Sequence, residues 1–113
     1  GLKKNVIYDL MNKDYRFLPG PRSFFQYYCL DNIWSDIIKQ LELGIKVLNL
    51  STEPTPFDKI LSLFEIEPEK IVRGKTVQEK MTSDYAIHWG KKGRYLYTQS
   101  EVLTDLRRFI NDE

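Results

Sequence analysis

Residues 30–50, "LDNIWSDIIKQLELGIKVLNL", constrain this chain more than any other stretch. Ile33, Trp34, Ile37, Ile38 and Leu41 recur at helical spacing. Asp31 stands before them as an expected N-cap, because its carboxylate can accept from the free N–H groups of a first turn. Gly44 is the expected stop, since glycine enters the left-handed conformation after a helix without a Cβ penalty. Residues 45–50 then form a nearly continuous apolar run, which predicts a strand buried on both faces, as in a parallel sheet. A capped helix feeding such a strand predicts an α/β fold.

The flanking segments fit around this unit. Leu2, Val6, Ile7 and Leu10 share one helical face, with Lys3, Lys4, Asn5 and Asp9 largely on the other. "PGP" at residues 19–21 is a break, and residues 15–18 before it suit a short strand. Residues 24–30 are aromatic-rich and predict a strand, with Phe24, Gln26 and Tyr28 on one face and Phe25, Tyr27 and Cys29 on the other. Thr55 is placed to cap a further helix, with Pro56 at its first position and Asp58 at the positive end of its dipole. Phe57, Ile60, Leu61 and Phe64 are its apolar face. Pro68 ends that unit, residues 70–73 suit a short strand, and residues 76–88 fit no single template. "GKKGRYLYTQSEV" reads as a basic turn, a short aromatic strand and a capping box of Thr98 with Glu101. The last helix carries Val102, Leu103, Leu106, Phe109 and Ile110 on one face and Arg107 and Arg108 near its C-terminus. Residues 1–113 are therefore expected to form a single α/β domain of about four helices with short, partly parallel strands.

Charge and composition exclude several functions. Seventeen basic residues against 16 acidic ones give a net charge of +1, so nothing draws the chain as a whole to nucleic acid or an anionic membrane. No apolar run approaches the roughly 20 residues of a membrane span. Lys3 and Lys4 lead into an amphipathic segment and not into a signal peptide. The single cysteine, Cys29, rules out an internal disulfide and fits a reducing cytoplasm. Cys29 and His88 alone are too few for a zinc site.

Motifs for nucleotide binding, nucleophilic hydrolysis and metal binding are absent. "GKKGR", residues 90–94, is the nearest approach to a phosphate loop, and its ordinary reading is a solvated turn. His88 beside Trp89 is an acid–base candidate or an exposed histidine. Lys3, Lys4 and Asn5 near a helix N-terminus suit either a phosphate clamp or a solvated face. Gln26, a polar amide among aromatics, calls for a partner, which is either a ligand or nearby backbone.

The order of these segments resembles the C-terminal, substrate-binding part of the extended short-chain dehydrogenase/reductases, the NAD-dependent epimerase/dehydratase group. "GLKKNVIYDLMNKDY" resembles that family's loop and substrate-contacting helix. "FQYYCLDNI" is similar to its R-D-F-V-Y-V-D-D-V, with Asp31 and Asn32 in place of the two acids and Phe25 where the family carries a nucleotide-contacting Arg. "KVLNLSTEP" is similar to V-Y-N-L-G-S-G through Asn49 and Leu50, and "FDKILSLF" resembles the helix that follows. The match runs over about residues 1–64, and the tail from "SDYAIHW" resembles the ending of a less characterised subgroup. Tyr85 and Lys91 do not have the spacing of the family's Tyr-x-x-x-Lys pair.

The resemblance implies a fragment of a Rossmann-type enzyme whose nucleotide-binding half, with NAD or NADP, lies elsewhere. This chain would be its substrate-recognition domain, without turnover of its own. Lys3, Lys4, Asn5, Gln26 and Tyr28 would face a nucleotide sugar or similar small molecule: the lysines against a phosphate, Gln26 on a hydroxyl, Tyr28 stacking. The surface once facing the missing half would be apolar and would drive self-association. A self-contained protein-interaction domain with an aromatic docking surface is the alternative. Nucleic-acid binding through "RGK" and "GKKGR" runs against the charge balance.

Overall fold

The computed structural model describes residues 2–15, 18–20, 22–67 and 74–112, and the backbone alone for residues 2–5. Four helices and one two-stranded sheet are present among them: α1 (Leu2–Met11), β1 (Phe24–Phe25), α2 (Ile33–Glu42), β2 (Thr55–Pro56), α3 (Phe57–Leu63) and α4 (Gln99–Asn111). Short 3₁₀ turns at Leu30–Asn32 and Ala86–Trp89 precede α2 and the basic loop. The small helical domain with short strands is as expected. None of the described helices is long and apolar enough to cross a membrane.

The core is built by α1, α3 and α4. Val6, Ile7 and Leu10 from α1, Phe57, Ile60 and Leu61 from α3, and Val102 and Leu106 from α4 pack with Leu18 and Phe25 into one cluster. These are the residues that helical spacing placed on one face. Phe25 meets Phe57 edge to face at 5.6 Å, the arrangement that ring quadrupoles favour.

The sheet differs from expectation. β1 and β2 pair antiparallel, with Phe24 opposite Pro56 and Phe25 opposite Thr55. The strand expected over residues 24–30 stops after two residues, because backbone partners flank the chain only there. On one side lies β2; on the other, Phe24 N–H donates to the Val77 carbonyl and Glu79 N–H to the Phe24 carbonyl. Among the described residues, parallel pairing is confined to two single bridges, Phe24 with Gln78 and Thr52 with Tyr97. The expected strand at residues 45–50 does not form. No neighbouring strand covers it among the described residues; Ile45 is buried while Val47 is 77% exposed. Residues 70–73 lie outside the described residues. Thr55 and Pro56 belong to β2, so α3 starts at Phe57 without a side-chain cap.

Helix ends follow local rules. α1, α2 and α3 each stop in a Schellman motif, with Lys13, Gly44 and Glu65 in the left-handed conformation. In each, the next residue's N–H reaches back: Asp14 to the Asp9 carbonyl, Ile45 to Gln40, Ile66 to Leu61. Asn32, not Asp31, precedes α2, and its side chain makes no cap. At α4 the expected capping box is present, with Glu101 N–H on Thr98 Oγ1 and Thr98 N–H on Glu101 Oε1.

Candidate functional site

α2 is turned against its own sequence. Of its expected core stripe, Trp34, Ile38 and Leu41 are 73%, 54% and 73% exposed, while Ile33 and Ile37 are half-buried. Leu30, in the preceding turn, is 69% exposed. The single buried residue of the helix is Asp36, on the opposite side.

Asp36 is held by three neutral donors. Tyr28 donates its hydroxyl to Oδ2 at 2.5 Å, Trp89 its indole N–H to Oδ1 at 2.8 Å, and Tyr97 its hydroxyl at 2.8 Å from each carboxylate oxygen. Two ammonium groups lie behind the rings of these donors. Lys39 Nζ is 4.6 Å from the Trp89 ring centre and Lys91 Nζ 5.9 Å from that of Tyr97. The carboxylate is thus stabilised by hydrogen bonds directly and by cations one ring away. Burial, and then donation to Asp36, push both tyrosine hydroxyls far above the ordinary tyrosine range, so both are fixed as donors. The cluster ties α2 to the segment running from Trp89 to Tyr97.

Gln26 is buried and its amide is fully occupied. Its Nε2 donates to the carbonyls of Thr52 and Met81, and its Oε1 accepts from Met81 N–H at 2.7 Å. Of the two partners its sequence setting allowed, the structure shows backbone. Tyr28 points its hydroxyl into Asp36. Neither presents a free polar group to a cleft. Lys3, Lys4 and Asn5 lie in α1, and their side chains are outside the described residues. Asp36, Trp89 and Tyr97, which organise the polar cluster, carry no local sequence signal: Trp89 and Tyr97 lie 53 and 61 positions beyond Asp36.

The loop at residues 90–94 lines an open cleft of about 480 Å³ with Ser83, Asp84, Ala86 and Ile87. Lys91 is pinned between the Trp89 carbonyl and Glu101, 3.1 Å away. Partial burial raises the Glu101 carboxyl, but the Thr98 N–H and the Lys91 ammonium outweigh it and hold the group below the usual range. The loop leads into no helix until Gln99, unlike a dinucleotide loop that opens directly on a helix N-terminus. No group of three or more His, Cys, Asp or Glu side chains is arranged for a metal among the described residues. Burial pushes the Cys29 thiol up, away from thiolate chemistry. No protein-family description, curated protein or solved structure matches this chain.

Proposed function

We propose that this chain is a recognition lobe that works docked on a larger protein body through the outer face of α2. One observation carries the reading: Leu30, Trp34, Ile38 and Leu41 form an apolar stripe in solvent on a helix whose one buried residue is Asp36. Soluble proteins seldom leave such a stripe uncovered. The exposed acids Asp31 and Glu42 fall beside it by helical spacing, which suits a partner surface that is apolar with a basic margin.

The sequence resemblance supports naming the larger body as the nucleotide-binding half of an NAD(P)-dependent epimerase or dehydratase. This chain then contributes substrate recognition and no cofactor site. The single cysteine supports a cytoplasmic setting. The alternative of a self-contained interaction domain draws on the inward-turned Gln26 and Tyr28. Its docking surface is mainly aliphatic with one aromatic, Trp34, in contrast to the aromatic surface expected from sequence.

Analytical ultracentrifugation tests the docking face. The isolated chain is expected to self-associate with rising concentration. The double variant Trp34→Glu/Leu41→Lys is expected to remain monomeric with an unchanged melting temperature. A strictly monomeric parent chain at high concentration sinks the docking reading. Micromolar NAD(P) binding by the chain alone, in calorimetry, sinks its assignment to the epimerase parent.

A further inference from the structure

The cleft at residues 83–94 lies apart from the α2 stripe and has a chemistry of its own. Three cations line it, Lys91, Lys92 and Arg94, against a single carboxylate, Asp84. Two of the cations have carboxylate partners. Lys91 is held by Glu101, and Arg94 makes one contact with Asp84, Nη2 to Oδ1 at 2.8 Å. That single contact leaves most of the five guanidinium N–H donors free of Asp84. Lys92 is exposed and has no partner among the described residues.

The backbone adds donors. Gly90 is left-handed and turns the loop, while the space beside Gly93 is open. The N–H groups of Lys92, Gly93 and Arg94 find no acceptor among the described residues. The Arg94 carbonyl is drawn the other way, accepting from Ser83 N–H at 2.8 Å and from Ser51 Oγ at 3.4 Å. Ser83 itself is buried at 4% exposure. Its Oγ accepts from Tyr85 N–H, and its hydroxyl proton has no acceptor among the described residues. Ammonium, guanidinium, backbone N–H and hydroxyl donors in one cleft match an anion that accepts from several directions.

We infer that this cleft binds a small phosphate ester, with the phosphate on Lys92, Arg94 and the loop N–H groups and the organic part over Ile87. A tetrahedral phosphate offers oxygens to divergent donors, whereas a lone carboxylate would be met best by an Arg fork, and Arg94 already turns one prong to Asp84. The cleft is far larger than a bare phosphate, and Ile87, 74% exposed, supplies apolar surface for the rest of the molecule.

Amide NMR titration of the chain tests this, with glucose 1-phosphate, inorganic phosphate, free glucose and sodium chloride as probes. The expected result is saturable shifts of the Lys92, Gly93 and Arg94 amides with the ester and with phosphate, the ester binding more tightly. Glucose and chloride should leave them in place. Lys92→Glu, on an exposed side chain, should weaken ester binding about tenfold or more while the other signals stay put. Shifts that rise without saturation, or that chloride reproduces at equal ionic strength, overturn the inference. A single-stranded oligonucleotide that displaces the ester and moves the same amides more strongly overturns the small-ester assignment. The α2 variants do not touch this cleft, so the two readings fail separately.

Discussion

Helices α2 and α3 carry apolar residues at similar spacing, Ile33, Trp34, Ile37, Ile38 and Leu41 in one and Phe57, Ile60, Leu61 and Phe64 in the other. In α3 the stripe lies against α1 and α4, with Phe57 and Leu61 wholly buried. In α2 most of the stripe lies in solvent and an aspartate takes the buried place. Apolar periodicity tells that a helix has a face to hide; it does not tell what hides it. Where the covering surface is in the same chain, stripe and core coincide. Where they part, something else must fix the helix. In α2 that is the Asp36 cluster.

The largest expected effect separates the two stripes. Leu61→Ala removes a side chain enclosed on all sides and should destabilise the chain by about 3 kcal/mol. Leu41→Ala changes a side chain that is 73% exposed and should stay within about 0.5 kcal/mol in dilute solution. Urea unfolding of both variants measures the contrast. Equal losses would mean that α2 packs inward after all.

The second effect concerns what replaces packing in α2. Asp36→Ala leaves the half-buried hydroxyls of Tyr28 and Tyr97 and the Trp89 indole N–H without their shared acceptor, and should cost about 1–3 kcal/mol. Alkaline pH attacks the same cluster from the other side. The folded state raises the pKa of Tyr28 and Tyr97, so their contribution is complete below the unfolded tyrosine value of about 10. It falls as pH climbs toward the higher folded values, because the unfolded chain loses these protons first. Tyr27, pushed up to about 12 mainly by burial, adds to the same trend. Stability should therefore decline above about pH 10, and Tyr28→Phe/Tyr97→Phe should flatten that decline. An unchanged slope in the double variant would remove the cluster from the account.

This division also marks what was legible in the sequence. Local signals were readable because their partners lie within a few residues: the Gly44 stop, the Thr98–Glu101 box, the faces of α1, α3 and α4. The extent of the strand at residues 24–30 and the fate of the run at residues 45–50 are not legible, because extended structure needs neighbours the sequence does not name. β1 finds them for two residues and residues 45–50 find none among the described residues. Gln26 is legible as a polar group needing a partner, and the partner is the backbone of Thr52 and Met81. Asp36 carries no sequence signal because it sits in an ordinary solvent-facing register opposite an apolar stripe, and only the fold brings Trp89 and Tyr97 onto it.

The smallest effect tests whether local termination compensates for missing packing. α2 ends on Gly44, while α1 and α3 end on Lys13 and Glu65, all three left-handed. A residue with a Cβ loses roughly 1–2 kcal/mol in that conformation, and glycine returns roughly 0.5–1 of it through the greater freedom of the unfolded chain. Lys13→Gly and Glu65→Gly should each therefore stabilise the chain by up to about 1 kcal/mol. Gly44→Ala should destabilise it by a similar amount, since nothing crowds the added Cβ and the cost is backbone alone. Thermal melts with amide exchange locate the change. If the glycine stop sustains α2, Gly44→Ala should speed exchange of the last-turn amides of α2 and leave α1 and α3 as they were. Uniform loosening of all three helices would mean that α2 is held by the shared core, and the contrast with α3 would lose its physical basis.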